Sequence, residues 1–188
     1  MRAAVLSLVI LVAGCTAEAG NSPPTPAPSA TASGTFVPYT SGAAAVGYDP
    51  ALVPTGATAT VTITPTAPGT EIRLAVTGLR PRRSYGAHLH TNPCGPTGAV
   101  AGPHYQHQPD PAASPPSVNP SYANPHNEVW LDFTTDAGGD ATSAATVQWR
   151  FDTGRRPRSL VIHAATTKTA TGQAGDAGAR VACLTLPG

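Results

Sequence analysis

The chain has 188 residues, 21 of them proline and 19 glycine, with 11% charged residues and a formal net charge of +1 at pH 7. So small and balanced a charge supplies no general electrostatic drive toward nucleic acid or an anionic membrane surface. The length suits one ordinary domain, and the proline content excludes a helical bundle, because each interior proline costs a helix about 3 kcal/mol.

Residues 1–14 read as a signal peptide. Arg2 supplies the positive start, and Ala3 to Ala13 is an apolar run shorter than the roughly 20 residues a bilayer-spanning helix needs. The run ends in Val12-Ala13-Gly14-Cys15, which resembles the bacterial lipobox, where the cysteine receives a diacylglyceryl group and the signal is cut before it. A plain secretory signal with a cysteine near its end is the alternative. Lipidation at Cys15 predicts an exported protein anchored to the outer face of the bacterial cell membrane. Residues 15–35 are rich in Pro, Ala, Ser and Thr, without an aromatic residue or a hydrophobic period. Such a stretch buries too little apolar surface to offset its ordering entropy, which predicts a disordered stalk before a domain over 36–188.

Inside the domain the hydrophobic period is two. Val61 and Ile63 alternate with threonines over Ala59–Thr64, and Ile72, Leu74 and Val76 share one face of Glu71–Val76. Further strands are predicted at Tyr85–His90, Glu128–Thr134, Ala141–Phe151, Ser159–His163 and Arg180–Leu186, with a hairpin turn at Asp136–Asp140. About eight short strands joined by Gly/Pro turns predict an all-β sandwich or barrel. Two long segments, Thr91–Asn127 and Ala164–Ala179, interrupt the strand rhythm beside histidines. Loops of that length in a compact domain are usually functional or disordered.

With Cys15 lipidated, Cys94 and Cys183 remain as a pair, and in an exported protein a disulfide is the default, two free thiols being the alternative. All six histidines fall between residues 88 and 163. His88 and His90 close a predicted strand and project from the same face, about 7 Å apart along the backbone. His104 follows on the first long loop and His163 ends an apolar strand. Imidazoles without a free thiolate suit copper, zinc or iron, and copper binds them most tightly.

The series Gly86-Ala87-His88-Leu89-His90, Cys94, Gly102-Pro103-His104, Val161-Ile162-His163 and Gly175 to Cys183 resembles, in this order, the motifs of the Cu,Zn superoxide dismutase family. The resemblance implies an eight-stranded Greek-key β-barrel or sandwich over roughly residues 45–186. It implies His88, His90, His104 and His163 as copper ligands, a Cys94–Cys183 disulfide, and Arg180 as the catalytic cation that draws in the superoxide anion. The zinc half departs from the family pattern. His107, Asp110 and His126 are the second-metal candidates, but their spacing does not match, and the next acids are Glu128 and Asp132. Between His163 and Gly175 only Lys168 is charged, with no aspartate to link the two metal sites. A copper centre holding zinc weakly or not at all is therefore expected. The competing reading is a copper-binding lipoprotein with little or no dismutase activity, against which Arg180 counts, because copper storage needs no cation beside the metal.

Overall fold

A computed structural model of the chain describes residues 29–114, 116–152 and 154–187. The expected signal peptide, the lipidated Cys15 and the linker up to residue 28 lie outside the described residues. Among the described residues nine strands follow in chain order: β1 Ala30–Thr35, β2 Ala45–Gly47, β3 Thr58–Pro65, β4 Thr70–Thr77, β5 Ser84–His90, β6 Phe133–Thr134, β7 Ala141–Val147, β8 Ser159–His163 and β9 Arg180–Thr185. A single 3-10 turn, Gly98–Ala101, interrupts the first long loop. The strands form two sheets, ordered β1-β3-β4-β7 and β2-β9-β8-β5-β6. All their ladders are antiparallel.

The all-β expectation holds, with two more strands than the branched-apolar pattern predicts, one that begins later and one that stops earlier. β1 replaces the last residues of the expected stalk. Ala30, Ala32 and Gly34 alternate with Thr31, Ser33 and Thr35, and the strand pairs with β3 in register from Ala30↔Ile63 to Thr35↔Thr58. A Cβ at Gly34 would stand 2.6 Å from the Ala45 Cβ, so only glycine permits this approach of β1 to β2. The predicted strand from Glu128 to Thr134 enters a ladder only at Phe133–Thr134, and the predicted strand from Ala141 stops at Val147 rather than Phe151.

Period-two alternation decides where the site lies. Leu160 and Ile162 of β8, with Ala87 and Leu89 of β5, join the core against Val61, Ile72, Leu74 and Val76 of the other sheet. The intervening His88, His90 and His163 must then face outward. They are nevertheless buried, at 0%, 0% and 4% exposure, because the two long loops fold back over this outer face. One disulfide, Cys94–Cys183, fastens the first loop to β9. The second is held at its start by Arg83, whose guanidinium donates to the Ala164 carbonyl at 2.8 Å.

Candidate metal centre

The first loop delivers His104 by running back beside β5. Tyr105 N–H donates to the Leu89 carbonyl at 2.8 Å, and His90 and His104 form an isolated antiparallel bridge. Across the sheet, β5 pairs with β8 as Gly86↔His163 and His88↔Val161. The result gathers His88, His90, His104 and His163 with one ligand atom from each within 4.8 Å of the others. Among the described residues this is the only cluster of three or more potential metal-binding side chains so disposed.

Each imidazole is held from behind, and those outer contacts fix its tautomer. Thr167 Oγ1 donates its one proton to Asp132 Oδ1 at 2.6 Å, so it accepts from His88 Nε2–H at 2.7 Å. That leaves His88 Nδ1 as the lone-pair nitrogen, and it is buried without a hydrogen-bond partner. His90 Nδ1–H donates to the Gly102 carbonyl at 2.9 Å, His104 Nδ1–H to Glu128 Oε2 at 2.8 Å, and His163 Nδ1–H to the Gly178 carbonyl at 3.3 Å. Their Nε2 atoms therefore carry lone pairs, and those of His90 and His163 stand 3.4 Å apart. Burial and the neighbouring imidazoles hold His88 and His90 well below the ordinary histidine range. Burial, with His104 alongside, brings His163 down to about 4. Converging neutral lone pairs with no proton among them call for a cation. An all-imidazole donor set fits copper.

Glu128 is 1% exposed. Its Oε2 accepts from His104 Nδ1 and from Trp130 Nε1 at 2.7 Å, and its Oε1 accepts from Gln106 Nε2 at 2.8 Å. The carboxylate thus engages the one nitrogen through which His104 could bridge to a second metal. The second-metal candidates are not gathered around His104. His107 stacks on Trp149, with ring centroids 4.8 Å apart and planes 3° from parallel. Asp110 accepts from Ser117 Oγ at 2.6 Å and from Ala112 N–H at 3.0 Å. His126 is exposed, and its carbonyl accepts from Trp149 Nε1 at 2.7 Å.

Arg180 reaches this face through a β-bulge. β8 and β9 pair as Val161↔Cys183 and Ile162↔Ala182, then slip so that His163 faces Arg180. In a regular ladder through Val181, Arg180 would share the inward face of Ala182; the bulge turns it outward. Its Nη1 donates to the Gly98 carbonyl at 2.8 Å. A Cβ at Gly98 would stand 2.6 Å from the Arg180 Cβ, so a bare glycine lets the loop seat the arginine. Arg180, His104 and His163 line one cleft of about 390 Å³, to whose wall Pro109 and Pro116 also contribute.

Sequence reading passed over Glu128, Gln106, Trp130, Thr167 and Asp132 as parts of this site, although one signal was present. In Glu128-Val129-Trp130-Leu131-Asp132-Phe133, the apolar members all lie in the core, which turns Glu128, Trp130 and Asp132 to the histidine face. Asp132, from another part of the chain, places a carboxylate behind His88 through Thr167. It holds Thr167 through both N–H and Oγ1, at 2.7 and 2.6 Å.

The family model described as copper/zinc superoxide dismutase (SODC) matches residues 57–185. No curated protein matches the chain. Among solved structures, the Cu/Zn superoxide dismutase from Brucella abortus superposes with a TM-score of 0.57 at 19% identity, covering 85% of this chain and 100% of that one. A double mutant of a SOD-like protein from Bacillus subtilis gives 0.52 at 21% identity, over 69% of this chain and 88% of that one. At these identities the structural likeness is one of fold, while the family match spans both histidine-bearing strands, the first loop and the bulged Arg180. The chain belongs to the copper/zinc superoxide dismutase family.

Proposed function

We propose that this protein is a copper-dependent superoxide dismutase that works without zinc. The observation that carries the reading is the convergence of four imidazoles in fixed tautomers, with the buried Nδ1 of His88 left without a partner. His88, His90, His104 and His163 would hold the copper. Bound there, copper would supply one-electron chemistry between two oxidation states, oxidising one superoxide to dioxygen and, with two protons from solvent, reducing the next to hydrogen peroxide. The chain's own part is to attract, admit and orient. Arg180 keeps a permanent positive charge at the cleft and offers guanidinium N–H donors to a small anion. Pro109 and Pro116 narrow the approach without adding charge. Thr167, Gly102, Glu128 and Gly178 keep each imidazole aimed. Glu128 at His104 Nδ1 supports the copper-only reading, because a zinc ion would have to displace a buried acceptor of three hydrogen bonds.

We further propose that the chain is exported and tethered through a lipidated Cys15, with residues 15–29 as the linker. The Cys94–Cys183 disulfide supports an oxidising compartment. Metal analysis and a superoxide assay on copper-loaded protein test the functional reading. We expect copper without tightly held zinc, activity lost in His163→Ala, and a salt-sensitive reduction in Arg180→Ala. Activity no greater than that of free copper would overturn the enzyme reading and leave a copper-binding protein, while zinc that survives dialysis would overturn the copper-only part.

A further inference from the structure

Trp130 stands against the histidine cluster and has no part in binding metal or anion. Its ring centroid is 5.9 Å from that of His88, to which its backbone also bridges. Its indole Nε1–H donates to Glu128 Oε2 at 2.7 Å, the same oxygen that receives the Nδ1–H of His104. Burying an indole N–H requires a partner, but a backbone carbonyl would do, as it does for Trp149. A carboxylate differs in that it can keep the proton. Indole is among the most readily oxidised side chains, and losing one electron makes its N–H strongly acidic. Trp130 is also only half-buried, so a reductant in solvent can reach it.

We propose that Trp130 is a redox-active residue of this site, supplying an electron when hydrogen peroxide meets the reduced centre. The inference rests on the dismutase reading, which provides both the peroxide and the reduced centre. Reduction of one peroxide breaks its O–O bond and forms two waters, taking two electrons and two protons. One electron comes from the reduced centre, which returns to its oxidised form. The other comes from the Trp130 indole, which becomes a neutral radical as its Nε1 proton moves along the hydrogen bond to Glu128 Oε2. The two protons that complete the waters come from solvent. A reductant such as ascorbate then returns an electron to the indole, and Glu128 gives back the proton. The alternative electron donors in contact with the site are the imidazoles themselves, so Trp130 spares His88 and His104 from oxidation.

Copper-loaded protein, reduced with ascorbate and then mixed with hydrogen peroxide, is freeze-quenched and its organic radical measured by electron paramagnetic resonance. Ring-deuterated tryptophan in the wild-type chain should narrow the signal, a measurement that needs no mutant to fold. Trp130→Phe should lower the signal at least ~10-fold and shift oxygen addition, read by peptide mass spectrometry, from residue 130 to the histidines. Trp149→Phe, which removes the other of the two tryptophans, should leave the signal unchanged. A signal insensitive to deuteration or to Trp130→Phe overturns the inference. So does the absence of a radical in a sample that dismutates superoxide, which leaves the dismutase reading standing. A sample that does neither overturns both.

Discussion

Replacing Glu128 with glutamine keeps the side chain's shape and removes its charge, which isolates what the carboxylate does for His104. Its two oxygens accept from His104 Nδ1, Trp130 Nε1 and Gln106 Nε2 at 2.7–2.8 Å. An amide offers one oxygen and one NH₂, so whichever way it turns, its NH₂ confronts a donor. With the oxygen toward His104 and Trp130, the two retained bonds lose charge assistance, about 1 kcal/mol each. The confronted Gln106 amide adds about 1 kcal/mol more, giving a total near 3 kcal/mol. For a domain of this size that lowers the melting temperature of the metal-free protein by roughly 6–12 °C. His104 keeps an acceptor but loses the negative charge behind its Nδ1–H, and weakening such an outer contact should lower metal affinity by about 10-fold, the low end of the 10–100-fold typical of its removal. Calorimetry on copper-free protein and a chelator competition on copper-loaded protein measure the two effects. If Glu128→Gln melts within about 2 °C of wild type and holds copper equally well, the carboxylate neither anchors the loop nor aims His104.

Copper-free protein should lose stability in mild acid. His163 is held at about 4 by burial, with His88 and His90 also lowered, while all three titrate near 6.5 when unfolded. The unfolded chain therefore binds more protons below pH 6.5. Stability is intact above that pH and falls toward pH 4, by roughly 3 kcal/mol from His163 alone. Urea midpoints at pH 7 and pH 4.5 measure this, and equal midpoints would mean that the imidazoles are not buried as neutral groups. Changing Cys94 and Cys183 to serine opens a link between residues 89 positions apart, and should cost about 4.6 kcal/mol in the chain-entropy model, read from denaturant curves. Gly102 has φ 73°, and a Cβ there would stand 2.5 Å from Thr91 Oγ1. Gly102→Ala should therefore cost about 1–3 kcal/mol and weaken copper retention in dialysis by displacing the carbonyl that holds His90; unchanged retention would refute that link.

The strands built on branched apolar residues were legible because valine, isoleucine and leucine at alternate positions state both the period and the inward face. β1 was not legible. Its inward residues are Ala30, Ala32 and Gly34, a composition shared with linkers, and only the facing Ala45 makes the small size necessary. The four histidines could be read from their motifs and order. The groups behind them could not, because Glu128 lies 24 residues from His104, and Thr167 lies 79 from His88 and 35 from Asp132. Such pairs depend on the paths of two long loops, which carry no periodicity. The bulge was equally hidden. Arg180 could be placed by its distance from Cys183, but its side of the sheet is set by a register slip between β8 and β9.

That slip shows how the core governs the site. In a strand the outward residues are wherever the inward ones leave them, so the aim of His88 and His90 is fixed by the burial of Ala87 and Leu89, and the aim of His163 by that of Ile162. The same parity in residues 128–133 sets Val129, Leu131 and Phe133 inward and brings Glu128, Trp130 and Asp132 beneath the imidazoles. Moving any of these segments by one residue would bury its polar set in the core and expose its apolar set. Each large apolar side chain exposed forfeits about 1.5–3 kcal/mol, and each polar group buried without a partner costs about 1–3 kcal/mol more. A slip of β5 or of 128–133 would therefore exceed the few kcal/mol by which a single loop contact could oppose it. β9 escapes this rule because Val181 is the extra residue of the bulge. The strand can then keep Ala182 and Leu184 in the core and still turn Arg180 toward His163. A regular ladder running through Val181, with no bulge, would put Arg180 on the inward face with Ala182, and the core, with more buried surface at stake, would keep that register at the expense of Arg180.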